Sequence, residues 1–160
     1  MPSNVEIKAV LRNLRYLTQR AKELSGTDGT VIRQQDTFFK VPAGRLKLRD
    51  LQDGTDYSIT PTSDPQGLVK VLTDALGQVG QVKKERRLYM VGQTRVHVDS
   101  VEGLGDFMEL EVVMKEHQSR EEGVTIANQL MLELGVKQED LIDGAYMDLL
   151  LKNQKNGHTP

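Results

Sequence analysis

Val5 and Ile7 alternate with Glu6 and Lys8, so residues 3–11 predict a strand with one apolar face and one charged face. The period then lengthens. Leu14, Leu17, Ala21 and Leu24 fall on one helical stripe between Arg12 and Leu24, and Ser25-Gly26 ends it. Residues 30–40 and 45–51 predict two strands about the turn VPAG. Asp53-Gly54 signals a hairpin, with a short strand around Tyr57–Thr60 before Pro61. The segment PQGLVKVLTDALG sets Leu68, Val71, Leu72 and Leu76 at helical spacing. Strands over 78–91 and 94–101 then turn at Gly92-Gln93, and Asp106–Lys115 supplies another. Ser119-Arg120-Glu121-Glu122 has the form of a capping box. It opens a helix with Val124, Ala127, Leu130, Met131 and Leu134 on its apolar stripe and Gly135 as its stop. Short helices near 138–143 and 145–152 complete the pattern. Strand-rich with helices interspersed, the chain predicts an antiparallel α+β fold: one domain over 1–152 and a polar, frayed tail over 153–160.

Composition narrows the partners. The chain has 160 residues, 28% of them charged, yet its net charge is only −2. A general nucleic-acid binder would carry a marked basic excess. A local basic pocket for a small polyanion remains compatible with that balance. Cysteine is absent, so disulfides and thiolate metal sites are excluded and a cytoplasmic setting is favoured. No apolar stretch is long enough to span a bilayer, and MPSNVEIKAVL lacks the layout of a signal peptide. Aromatic residues total 4%, too few for base-stacking platforms.

The charged faces carry the chemistry. Charge recurs at same-parity positions in several strands: Glu6 and Lys8; Arg45, Lys47 and Arg49; Lys84 and Arg86; Arg95, His97 and Asp99; Glu109 and Glu111. The opposite parities hold Leu46, Leu48, Val96, Val98, Leu110 and Val112. One arrangement puts every charge in water, as half-exposed antiparallel sheets do by default. The other closes the strands into a barrel with charges inward and the apolar exterior covered by helices. Arginine forks match phosphate oxygens two at a time, and lysine adds a compact charge. Carboxylates in the same hollow would repel a polyphosphate unless cations lay between them, a task that suits magnesium.

VEIKA, QQDTFFKVPAGRLKLRD and KKERRLYMVGQTRVHVDSVEGLGDFMELEVV together resemble the CYTH domain, or triphosphate tunnel metalloenzymes, over nearly the whole chain. The family includes class IV adenylyl cyclases, thiamine triphosphatases and inorganic triphosphatases, and the motif spacing is closer to the cyclase branch. The resemblance implies an antiparallel eight-stranded tunnel with a charged interior and helices outside. It also implies a Mg2+ or Mn2+ cofactor and a triphosphate substrate such as ATP, inorganic triphosphate or thiamine triphosphate. By position it makes Glu6, Glu109 and Glu111 metal ligands. Lys8 and Asp99 become the catalytic pair, Lys8 contacting phosphate or orienting the nucleophile and Asp99 orienting bases or a reactant. Lys8, Arg45, Lys47, Arg49, Lys84, Arg86 and Arg95 would bind triphosphate. A homodimer is left open.

Two positions depart from the family pattern. Asn4 stands where the first acid of the E-x-E-x-K signature belongs, and Thr60 where relatives carry an arginine before the proline. Both thin the site, so a non-catalytic triphosphate or polyphosphate binder is the alternative. Other residues have plainer readings. His97 is expected as a hydrogen-bonded wall residue, His117 and His158 as solvent residues, and Tyr16, Tyr89 and Tyr146 as packing residues. Gly103-Leu-Gly105 reads as a turn, because a P-loop would need its lysine and serine or threonine.

Overall fold

A computed structural model of the chain describes residues 4–51 and 64–157. Its elements run β1 (Val5–Val10), α1 (Leu14–Ser25), β2 (Thr30–Phe39), β3 (Leu46–Leu51), α2 (Pro65–Leu76) and β4 (Gln78–Val91). There follow β5 (Thr94–Val101), β6 (Gly105–Val112), α3 (Arg120–Leu134), a 3-10 turn (Gln138–Asp140) and α4 (Tyr146–Gly157). The described strands form one six-stranded sheet in the order β1-β6-β5-β4-β2-β3, so with the four described helices the fold is α+β. That order is open, with β1 and β3 at its ends, and does not reach the expected eight-stranded closure. The expected hairpin at Asp53-Gly54 and strand around Tyr57–Thr60 lie outside the described residues.

The chain divides into two compact units. The first comprises Met1–Val31, Arg86–Ser100 and Gly105–Gly144. Within it β1 and β6 pair antiparallel, Val5 opposite Val112, Ile7 opposite Leu110 and Ala9 opposite Met108. Because strand side chains alternate, this register puts all of these on one face. Ile7, Ala9, Met108 and Leu110, with Tyr89 of β4 and Val96 of β5, pack against Leu17 and Ala21 of α1 and Leu130, Met131 and Leu134 of α3, while Val5 and Val112 pack with Met114 and Ala127 of α3. Each large side chain buried this way contributes about 1.5–3 kcal/mol. The helices are fixed at their ends. Asn13 Oδ1 accepts from Tyr16 N at 3.1 Å to start α1, and Ser119 Oγ accepts from Glu122 N at 3.2 Å to start α3. Gly26 and Gly135 close the two helices in the left-handed conformation, φ 70° and 74°. Tyr16 is half exposed, its ring lying against Gly135.

The second unit comprises Ile32–Glu85, Val101–Leu104 and Ala145–Pro160. Here β2 and β3 pair antiparallel with Asp36 opposite Arg49 and Phe38 opposite Lys47. Helix α2 begins with Pro65, its first turn capped by Asp64 Oδ1, which accepts from Gly67 N at 3.0 Å. It lies against β3. Helix α4 runs to Gly157, beyond the expected limit at 152. Its Met147 is buried over Gly80 of β4, where an added Cβ would stand 2.6 Å from Met147 Cε.

Candidate functional site

The face of the first unit opposite α1 and α3 gathers the charged residues singled out in the sequence. The β1–β6 register sets Glu6 opposite Glu111 and Lys8 opposite Glu109. Alternation along β5 and β4 adds Arg95, His97, Asp99 and Arg86. This face is not an ordinary wet one. The side chain of Asp99 is 0% exposed, that of Arg86 11%, and those of Glu109 and Glu111 16% each. His97 is also buried. Between the two arrangements the sequence allowed the face is mixed: Arg86, His97, Asp99, Glu109 and Glu111 are withdrawn from water, Glu6 and Arg95 are exposed, and the helices cover the apolar side as expected.

Buried ions need partners, and these have them. Arg86 meets Asp99 with its whole fork, Nε to Oδ1 at 2.7 Å and Nη2 to Oδ2 at 2.9 Å. Its Nη2 also reaches Glu109 Oε2 at 3.2 Å. Lys8 Nζ donates to the Gly144 carbonyl at 3.3 Å. Glu111 Oε1 accepts from Asn4 Nδ2 at 2.7 Å and lies 3.7 Å from Arg95 Nη1. Glu6 faces two other carboxylates. Burial, then Glu109, then Glu111 raise its pKa above the usual carboxylate value, while Lys8 and Arg86 pull it back. Such opposition of like charges across a strand pair is unfavourable unless something positive joins it.

Expected phosphate ligands of the second unit are paired as well. Arg49 holds Asp36 with Nε to Oδ1 at 2.8 Å and Nη2 to Oδ2 at 2.9 Å. Arg45 Nη2 spans both oxygens of Asp148, at 2.8 and 2.7 Å. Lys84 Nζ stands 5.0 Å from the centroid of Tyr146, and Lys47 is exposed on β3. With its amide oxygen turned toward them, Gln34 accepts from Lys84 Nζ and Arg49 Nε at 3.3 Å each. Asp36, Gln34 and Asp148 were not singled out in the sequence. For Asp36 and Gln34 there was a signal, since they share a parity within QQDTFF. Asp148 gave none.

The three expected metal ligands share a face, but they do not make a cage. Among the described residues no three acidic or histidine side chains are placed to hold a metal ion. Glu109 is engaged by Arg86 and Glu111 by Asn4 and Arg95. As they stand, these residues do not fit a resident divalent ion.

An alternating charged face, partly withdrawn from water, on an antiparallel α+β sheet backed by helices defines the class of fold. The CYTH domain pattern matches residues 3–146, and the chain belongs to the CYTH family. A comparison with curated protein sequences gives no match. Solved structures with the same fold include the PH1012 protein of Pyrococcus horikoshii OT3, at 24% identity and TM-score 0.76, covering 92% of this chain and 99% of that one. The PH1819 protein of the same organism is 22% identical with TM-score 0.71, covering 94% and 99%. A proposed adenylate cyclase from Vibrio parahaemolyticus is 17% identical with TM-score 0.71, covering 92% and 97%. At these identities the likeness is one of fold.

Proposed function

We propose that this protein is an enzyme that acts on a triphosphate entering as its divalent-cation complex. The observation that carries the reading is the charged face of a CYTH chain on which Arg86, Asp99, Glu109 and Glu111 are withdrawn from water while Glu6, Lys8 and Arg95 stand more open beside them. The family is in general metal-dependent. Here the cation, magnesium or manganese, counts as part of the substrate. Asp99 positions Arg86, whose fixed charge is aimed without reorganisation at the moment of reaction. Lys8 and Arg95 supply further positive charge to phosphate oxygens, and Lys8 orients the attacking oxygen. Arg45, Lys47, Arg49 and Lys84 keep the phosphate-binding role that the family likeness implies. The closed eight-stranded tunnel belongs to this proposal, as does a single catalytic domain over 1–152.

Two product sets suit such a site. Water attacking the terminal phosphorus releases orthophosphate. A ribose 3′-hydroxyl attacking the α-phosphorus of ATP releases pyrophosphate and forms cyclic AMP. The fold shared with a proposed adenylate cyclase supports the second. A non-catalytic triphosphate binder is the rival, favoured by Asn4 and Thr60, which depart from the family pattern where an acid and an arginine belong.

Incubating the protein with Mg2+ or Mn2+ and ATP, tripolyphosphate or thiamine triphosphate, then resolving the products, tests the proposal. Turnover of at least one substrate is expected; tight binding with no product would transfer the case to the rival. Arg49→Ala should raise KM or Kd by about tenfold with little change in kcat, whereas Glu111→Gln should lower kcat by about a hundredfold. Unchanged kinetics in both variants would remove the assigned roles.

A further inference from the structure

Two rows of side chains cross the charged face of the first unit. Arg86, Asp99, Glu109 and Lys8 form one, two bases against two acids, joined by the Arg86 contacts and by the pairing of Lys8 opposite Glu109. Arg95, Glu111 and Glu6 form the other, which has one carboxylate in excess. At the end of this second row stands Asn4. Its Nδ2 donates to Glu111 Oε1 at 2.7 Å, the same oxygen that Arg95 Nη1 approaches to 3.7 Å. An oxygen that receives an amide N–H and faces a guanidinium is poorly placed to receive a cation. A single surplus carboxylate also falls short of the charge that a hydrated divalent ion demands before it gives up water.

We infer that Asn4, acting through Glu111, prevents this face from holding a divalent ion alone, so that the cation is retained only together with polyphosphate. Asn4 is a positioning residue in this scheme. The inference rests on the triphosphate reading above and adds an order to it: phosphate oxygens complete the cation's coordination, and the surplus carboxylate then adds its charge. Asn4→Asp tests the point sharply. The substitution is isosteric, exchanges the N–H donor for an acid and raises the excess on the row from one carboxylate to two. A carboxylate against Glu111 at that separation requires a cation or a proton between them.

Equilibrium dialysis against Mn2+, with metal analysis of both chambers and a separate calorimetric titration of tripolyphosphate, reads each step. Wild-type protein in phosphate-free buffer should leave Mn2+ evenly distributed. With tripolyphosphate present, Mn2+ should accumulate on the protein side in proportion to the bound phosphate. Asn4→Asp should bind Mn2+ without phosphate at least tenfold more tightly than wild type. Asn4→Ala, which frees Glu111 Oε1 and adds no charge, should bind Mn2+ more tightly than wild type and less tightly than Asn4→Asp; no gain would overturn the part given to the Asn4 hydrogen bond. Far-UV circular dichroism establishes that each variant is folded, and the wild-type chambers are decisive even where a variant is not. Phosphate-independent Mn2+ uptake by the wild type overturns the inference, as does a folded Asn4→Asp with no gain. Failure of tripolyphosphate to bind with or without Mn2+ overturns the triphosphate reading instead.

Discussion

Arg86 gives its fork to Asp99 and one further N–H to Glu109, joining three strands through a single side chain. Asp99 has no exposure to water, so removing its partner leaves a buried charge without the fork that compensates it. Arg86→Ala should therefore cost about 3–5 kcal/mol in urea unfolding, well beyond what truncating a surface arginine costs. Arg86→Lys should recover only part of that, since an ammonium cannot repeat the two parallel bonds. Glu6 behaves differently. Its pKa is raised in the folded chain, so its ionised form is disfavoured there relative to the unfolded chain. The stability associated with its neutral form is present at low pH and lost as pH rises through the raised value. With metal chelated, Glu6→Gln should melt at a higher temperature than wild type at neutral pH, and the difference should shrink below about pH 4. A variant less stable than wild type at pH 7 would contradict this. The parity of charged residues was legible from sequence because alternation is local. Which acid each base meets was not, because that depends on register and tertiary placement: Arg49 finds Asp36 across a strand pair, and Arg45 finds Asp148 on a distant helix.

Among elements, α3 shows how a local rule yields to packing. Gly123 sits in its first turns, where alanine would improve helix propensity by about 1 kcal/mol. A Cβ there would come 2.8 Å from Val5 Cγ2 and closer still to Met114 Sδ. Gly123→Ala is thus expected to destabilise by about 1–3 kcal/mol, as overpacking does, by pushing α3 off β1. Equal or greater stability in denaturant titration would show that the helix can give way. The helix stripes of α1 and α3, their stops at Gly26 and Gly135, and the β4–β5 hairpin at Gly92-Gln93 were readable, each resting on short-range chemistry. Helix α4 was read too short. Of its last residues, NQKNG, the two asparagines and the glycine have weak helical preference, and no apolar stripe extends the pattern.

For the whole molecule, the family was readable because its motif residues sit at alternating positions along strands, a pattern that is local in sequence. The eight-stranded closure rested on the family likeness, and the six described strands run as an open series. Sequence also gave no hint that Asn4 would act as a donor to Glu111; it showed only that an acid was missing. One feature of the sheet bears on how the protein comes into being. Val5 pairs with Val112 and Val10 with Phe107, so the two edges of the acid-bearing ladder are made about a hundred residues apart during synthesis. Contacts so remote in sequence form late and slowly. On the ribosome β1 must wait, unmatched, until β6 has emerged about a hundred residues later, and the ionic face they share takes shape only then.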